Sequence, residues 1–396
     1  MPTTPLFEYC VGQPPTPISA ADEQWAAPIA VYRPATVIKK AGDICSGDDD
    51  AAVTYGDYFT AVHDFLSADD PVLSRHLACG FPGCTGAPEV IRIHLVKHGA
   101  FYHPACVTLA CAHHQVRLVL NVAVGALGRN RLPVEVGHFK QLRRNFPEAY
   151  IPELYRSGVG RAARRDPLPM FAAQWLDGYH EMHRTESMGS LAQQWVVWDC
   201  DAGSWCLSEA QVADFFRRAV FILTYYFDPH TLSAIMEWHH AAGDFIVKRN
   251  ADQSLDVRLI TVRRYGPLFH LTADDTLDVN TLLDALAVFF LRTSLWMRLD
   301  RLYGVGSLVW SHETVLRPIW EGFIQGLEQF ARLHRFPETF VAAATGYIAD
   351  HDRHDLRHMG LQILKHYPPD LPEAVLIEHH LDRHAACLAA LIQECA

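Results

Sequence analysis

Hydrophobic side chains between residues 89 and 125 recur with a period of two, and this feature restricts the fold more than any other. In "EVIRIHLVKHG" three aliphatic residues alternate with Val90, Arg92 and His94, which is the pattern of a strand with one buried face. Two more β-rich runs follow, "ACVTLAC" and "QVRLVLNVAVG". The breaks between the runs are short enough for an antiparallel meander, so we expect three consecutive antiparallel strands.

A helix and two further strands are expected next. "VEVGHFKQLRRNF" places Val136, Phe139 and Leu142 on one helical face, and Pro147 ends the helix soon after. "AYIPELYRSG" and "PMFAAQWLDG" are predicted strands. The predicted order is therefore three strands, a helix and two strands.

The remaining chain is predicted to be mainly helical. Ser208, with Gln211 three residues later, forms a capping box at the start of "SEAQVADFFRRAVFILTYYF". The stretch 244–269 is predicted to be a β-hairpin, and long helical segments follow it.

These elements predict an α+β fold in three parts. Residues 1–50, rich in Pro, Ala and Asp, form either a loosely structured arm or an edge piece of the first domain. Residues 51–175 form a β-rich lobe that begins with a helix, and residues 176–396 form a helical lobe that contains the hairpin.

The composition excludes some partners and compartments. The chain has 396 residues, and its 49% hydrophobic and 20% charged residues are typical of a globular protein. A net charge of −11 argues against nucleic acid as a partner, although the basic patch at 156–165 is either a solvated loop or a local phosphate site. The start lacks a signal-peptide pattern and no apolar run is long enough to span a bilayer, so we expect a cytoplasmic protein without a membrane partner.

Four cysteines raise the question of a zinc site. Cys79, Cys84, Cys106 and Cys111 follow a C-x4-C…C-x4-C spacing, and thiolates are good zinc ligands. However, paired ligands are usually closer together, and Cys106 and Cys111 are an odd number of residues apart in a predicted strand, so their side chains face opposite sides. We therefore interpret them as buried free thiols and expect no zinc.

The stretch "MEWHHAAGDFIVK", residues 236–248, is the first candidate site. His239 and His240 precede a small-residue loop, and Asp244 lies where that loop enters an apolar strand. Gly243 can supply a φ angle that other residues resist. A carboxylate at such a junction is a usual metal ligand, and a histidine beside it can act as a base. The alternative is a tight hairpin entry, in which Asp244 caps local amides and the histidines fill gaps in the core.

The turn "LVKHGAFYHPA" is a second candidate. A strand, a glycine turn and a strand can lie over a nucleotide, with backbone amides and a lysine facing its phosphates, which makes Lys97, His98 and Gly99 candidate cofactor-binding residues. An ordinary hairpin is the alternative. Glu135, at the predicted start of the following helix, either gains from the helix dipole or holds a basic partner.

The element order and some local wording resemble the protein-kinase-like fold, in particular the aminoglycoside phosphotransferase and choline kinase group. "EVGHFKQLRRNFPEAYIPELYRSG" resembles the Glu-bearing helix and the strand after it, "PMFAAQWLDGYHEMH" the strand leading into the hinge, and "WHHAAGDFIVKRNADQSLDVRLITV" the catalytic loop and metal-binding hairpin. The resemblance extends over residues 89–330. It implies a small antiparallel-sheet N-lobe with one main helix, a larger mainly helical C-lobe, and ATP or another nucleotide bound with Mg²⁺ between them.

The resemblance also implies roles for individual residues. Asp244 would bind the metal, and His239 or His240 would handle the proton, with His239 near the position of the family's catalytic Asp. In an alternative register Asp244 itself would be the catalytic Asp, but too few residues would then precede the strand. Glu135 would pair with a phosphate-binding lysine, for which Lys97 is the candidate.

Two positions depart from the family pattern. Asn121 stands where the family has its phosphate-binding lysine, and Thr261 or Val262 stands where it has its second metal-binding Asp. Arg263 could offset phosphate charge in place of the missing metal ligand, because phosphoryl transfer needs positioned cations.

Three functions follow as expectations. The first is a kinase-like phosphotransferase acting on a small-molecule or protein acceptor. The second is a pseudokinase, a binding or scaffold module that keeps the fold without transfer. The third is a zinc-dependent hydrolase, for which "DHDRHDLRH" at 350–358 is the best fragment; the alternative for that fragment is a solvated helix face.

Overall fold

The chain divides into two compact α+β units, Met1–Asp177 and Gly178–Ala396. The computed structural model describes residues 5–30, 52–68, 88–99, 101–111, 114–162, 166–186, 193–199, 202–239, 243–269 and 277–395.

The first unit is built on a seven-stranded mixed sheet. Its elements are β1 (Leu6–Val11), β2 (Thr16–Ile18), α1 (Glu23–Ala26), α2 (Tyr55–Ser67), β3 (Val90–Leu95), β4 (His103–Cys111), β5 (His114–Val122), α3 (Ala126–Asn145), β6 (Leu154–Gly160) and β7 (Leu168–Gln174). The strand order is β2-β1-β3-β4-β5-β7-β6. The predicted order of three strands, a helix and two strands is confirmed in β3 to β7. Residues 6–18 are an edge of this sheet, because β1 runs parallel to β3 and pairs with β2.

Helices cover both faces of the sheet. On one face, Tyr58, Phe59 and Phe65 of α2 are fully buried against alternate residues of the strands, including Leu120 of β5. On the other face, Phe139 of α3 packs against Phe171 of β7, with ring centroids 6.0 Å apart. The alternation of side chains along each strand explains how one sheet supports two helices.

Helix α3 differs from its prediction in a way that matters for the candidate site. It begins at Ala126, with Gly125 as its N-cap, and it accommodates Pro133 in its interior. The prediction that Glu135 opens this helix was wrong, since Glu135 lies in the middle of the helix. The dipole of the helix N-terminus therefore gives no reason for an acid at this position, because the effect fades within the first turn.

The second unit contains more β-structure than predicted. Its elements are β8 (His180–Glu186), β9 (Gln193–Val197), β10 (Trp205–Cys206), α4 (Glu209–Tyr225), β11 (Ser233–Ile235), β12 (Phe245–Arg249), β13 (Leu255–Leu259), β14 (Tyr265–Pro267), α5 (Val279–Trp296), β15 (Leu299–Arg301), β16 (Leu308–Trp310), α6 (Leu316–His334), α7 (Phe340–Ala349), α8 (Arg353–Leu364) and α9 (Pro372–Cys395). One five-stranded sheet has the order β10-β9-β8-β12-β13.

The predicted hairpin is shorter than expected. Strands β12 and β13 pair, with Phe245 opposite Leu259, whereas β14 leaves the hairpin and pairs with β11. The capping box predicted at Ser208 and Gln211 is confirmed, and α4 begins directly after it. The short fragment at 350–358 is a helix start, in which Asp352 caps α8.

Helix α5 is long and apolar enough to cross a bilayer by length and composition, and no other helix in the described ranges is. However, 67% of its apolar window is buried inside the protein. The core helix of a globular unit has the same character.

Candidate functional site

Asp244 occupies the junction at which the loop after β11 enters β12, as the sequence indicates. Its side chain is 1% exposed. Arg263 clamps it with two parallel hydrogen bonds, from Nη1 to Oδ2 at 2.6 Å and from Nη2 to Oδ1 at 2.5 Å. The backbone N–H of His239 also donates to Oδ2, at 2.8 Å. The carboxylate is therefore held by a bidentate arginine and an amide.

This arrangement gives Asp244 a partner other than the one predicted. A magnesium ligand offers its oxygens to the ion, but here both oxygens accept from one guanidinium. Arg263 thus neutralises Asp244, whereas we expected it to face phosphate. At the positions of the missing second acid, Val262 is fully buried and Thr261 is uncharged. Within the described ranges no three His, Cys, Asp or Glu side chains form a metal-binding group.

Two other predicted residues of this loop, His239 and Gly243, lie within the described ranges. Gly243 has a φ of +72°, so the predicted special conformation is confirmed. Burial lowers the pKa of His239 to about 4, which leaves its imidazole neutral at pH 7 and makes it a weak base. His240 lies outside the described residues, as do Cys79 and Cys84. Cys106 is buried.

The turn that carries Lys97, His98 and Gly99 has the geometry of a tight hairpin. The Gly99 N–H donates to the Tyr102 carbonyl at 3.0 Å, and a Cβ at Gly99 would lie 2.6 Å from that oxygen. A close backbone approach thus explains this glycine. The His98 ring contacts Tyr55 and His103, and Lys97 is exposed.

Glu135 has a partner in the same turn, but that partner is a tyrosine. The carboxylate is 1% exposed and accepts a 2.6 Å hydrogen bond from the Tyr102 hydroxyl. Tyr102 also packs edge-on against Phe171. Asn121, in the position of the expected lysine, pairs with Phe171 across β5 and β7. No local pattern marks Tyr102 as the partner of an acid 33 residues away, because only the sheet brings the two together.

Removing the Tyr102 hydroxyl is expected to destabilise the first unit. Tyr102→Phe takes a hydrogen-bond donor from a buried carboxylate, and such losses cost about 1–3 kcal/mol in the free energy of unfolding. Tyr55→Phe is the matched control, since its hydroxyl bond to His98 is exposed. Urea denaturation of both variants measures the difference; equal effects would contradict a special role for the Tyr102 bond.

Ser294 and His384 form a buried pair in the second unit that resembles a catalytic nucleophile and its base. The directions of their hydrogen bonds contradict this role. Arg298 donates to Nδ1 of His384 at 3.2 Å, so the ring proton is on Nε2 and points to Ser294 Oγ, 3.0 Å away. The Ser294 hydroxyl in turn donates to the Leu291 carbonyl at 2.8 Å. Because the histidine donates to the serine, it cannot act as its base in this state. Burial also lowers the pKa of His384 to about 3.

A second buried polar group surrounds Asp300 in β15. Asp300 is fully buried, and its Oδ1 accepts from the Arg301 N–H at 2.7 Å. Neither its Oδ2 nor Nδ1 of His183 has a hydrogen-bond partner. Burial raises the pKa of Asp300 to about 7, while the hydrogen bond from the Arg301 N–H and the positive charge of Arg184 oppose this rise. The carboxyl is therefore held in a site that disfavours its charge.

No protein-family model matches the sequence, and no curated protein is significantly similar to it.

Proposed function

We propose that this chain is a kinase-like binding module that does not transfer phosphoryl groups. The observation that carries the proposal is the bidentate pair between Asp244 and Arg263, in which the acid at the expected metal position is already neutralised. Phosphoryl transfer depends on metal ions that neutralise developing charge. A carboxylate committed to an arginine is poorly suited to hold one.

Two further observations support the same proposal. Glu135 accepts a hydrogen bond from the Tyr102 hydroxyl, so its carboxylate has a structural role within the first unit. Asn121 cannot supply that lysine's charge, and Lys97 lies in a tight turn built around its glycine. The kinase-like assignment itself rests on the element order from β3 to β7 and on the hairpin of β12 and β13.

A nucleotide screen tests the proposal. Purified protein is heated with ATP, GTP or ADP, each with and without Mg²⁺ or Mn²⁺, and release of phosphate from ATP is measured in parallel. We expect no metal-dependent rise in the melting temperature and no phosphate release above a no-protein control. Metal-dependent stabilisation together with turnover would favour the phosphotransferase instead.

Nucleotide that binds without metal and without turnover would agree with a binding module. In that case Lys97→Ala distinguishes binding at the predicted turn from binding elsewhere. If turnover is observed, the phosphotransferase hypothesis requires an acceptor, which would be a small molecule or a protein.

A further inference from the structure

A cavity of about 460 Å³ lies against the C-terminal half of α3 and the edge strand β6, within the first unit. Its volume falls in the range of small-molecule sites, roughly 300–1,000 Å³. The lining residues are Phe139, Lys140, Arg143, Arg144, Glu153, Leu154, Tyr155, Arg156 and Ser157.

The charge of this lining is strongly positive. Lys140, Arg143, Arg144 and Arg156 face one carboxylate, that of Glu153. In a chain with a net charge of −11, this lining is a local patch of the opposite sign. A cavity with this lining attracts anions.

One of the four cations has a structural task. Arg156 donates from Nη1 to the Phe65 carbonyl at 2.9 Å, and its guanidinium lies 4.3 Å from the centre of the Phe65 ring. It therefore ties β6 to the end of α2. The exposed side chains of Lys140, Arg143 and Arg144 remain for a ligand.

The three remaining cations are placed together by helix geometry. Positions 140, 143 and 144 are spaced i, i+3 and i+4, so they share one face of α3. Arg143 and Arg144 lie in the last turn and are favourable there for the helix dipole as well. The helix dipole does not explain Lys140, which lies before the last turn, or the cavity beside it. A bound anion explains all three cations and the cavity together.

We propose that this cavity binds a small molecule through a phosphate or diphosphate group. Guanidinium groups match phosphate oxygens in bidentate geometry, and a lysine adds a point charge. The negative charge of the chain as a whole disfavours a long polyanion, because such partners need a broad Lys/Arg surface. The site involves none of Asp244, Glu135 or Lys97, so the inference is independent of the proposed function.

The test uses the full chain and pyrophosphate as the probe. We expect saturable binding by isothermal titration calorimetry, with inorganic phosphate binding more weakly and a sodium chloride series of equal ionic strength giving no saturable heat. Arg143→Gln/Arg144→Gln should weaken pyrophosphate binding about tenfold or more, since two charge-assisted contacts are lost.

A double variant with the same change in charge serves as the control. Arg92→Gln/Arg117→Gln removes two exposed arginines of the same unit that are paired with Glu8 and Asp177. It should leave the affinity within about twofold of the wild type, because it only weakens the general field. Circular dichroism confirms that both variants fold, and all four side chains are exposed enough to be replaced without loss of core packing.

Three results would overturn the proposal. They are the absence of saturable pyrophosphate binding, an equal loss of affinity in the two double variants, and tighter binding of a phosphorylated peptide or an oligonucleotide than of pyrophosphate. The last result would assign the surface to a macromolecule.

Discussion

Replacing Arg263 by methionine is expected to lower the free energy of unfolding by about 3–5 kcal/mol, because the Asp244 carboxylate would remain buried without its cation. The partner amide of His239 can offset only part of that loss. Asp244→Ala should cost less, since Arg263 is 18% exposed and can turn its charge toward water. Urea denaturation at pH 7 measures both variants.

The matched control for this pair is Arg258→Met. Arg258 bonds Asp256 at 3.1 Å, with the two side chains 25% and 34% exposed, and partly solvated pairs contribute about 0–1 kcal/mol. A double-mutant cycle with Asp244→Ala and Arg263→Met should show that the two losses are not additive.

The same variants separate the two kinase-like hypotheses. A structural ion pair predicts a large loss of stability and no change in any response to Mg²⁺. If Asp244→Ala leaves the unfolding free energy unchanged but removes a metal-dependent stabilisation by nucleotide, Asp244 is a metal ligand in solution and the binding-module proposal fails.

Replacing Asp300 by asparagine is expected to remove a pH-dependent loss of stability in the second unit. The folded-state pKa of Asp300 is raised to about 7, against about 3.9 in an unfolded chain. Between these values the unfolded chain has released the proton and the folded chain still holds it. The folded state therefore loses stability as the pH rises toward 7, and the loss levels off above that pH.

A shift of about three pKa units corresponds to about 4 kcal/mol in total, and about 3 kcal/mol of it falls between pH 5 and pH 8. The stability of Asp300→Asn relative to the wild type should rise by that amount over this interval, because the amide has no proton to release. Oδ1 of the new side chain can still accept from the Arg301 N–H.

Urea denaturation at pH 5 and pH 8 measures the difference, with Asp256→Asn as the control. Asp256 is 34% exposed and paired with Arg258, so its replacement probes a carboxylate in contact with water. The neighbours of Asp300, Arg184 and His183, are unchanged in the Asp300 variant. Parallel pH profiles for wild type and Asp300→Asn would show that the carboxyl is ionised in the folded protein throughout.

Local features of the chain predicted the elements around both candidate sites. The period of two marked β3, β4 and β5, since one face of each strand must be buried. The capping box at Ser208 located the start of α4, because the side chains of residues 208 and 211 satisfy each other's backbone groups. The positive φ of Gly243 was also predicted, because glycine adopts this backbone conformation more readily than other residues. All of these signals act between residues close in sequence.

The prediction failed where a side chain's partner is far away in sequence. Glu135 was placed at the start of a helix over "VEVGHFKQLRRNF", yet α3 begins at Ala126 and extends through Pro133. The strand β8 was not expected beside the hairpin, since only tertiary pairing joins it to β12. Polar and apolar residues do not alternate clearly enough in Leu6–Val11 to predict a strand there, and its parallel pairing with β3 is a tertiary contact.

The sequence by itself determined that this protein has an α+β fold, where most strands and helices lie, and that an acid stands at the entry to β12. Only the tertiary structure decided what that acid does. A buried carboxylate must be neutralised, but the residue that does so for Asp244 is 19 positions away, and for Glu135 the hydrogen bond comes from a different strand connection. The partner of each buried charge depends on how segments distant in sequence pack together, and the local residue pattern does not predict that packing.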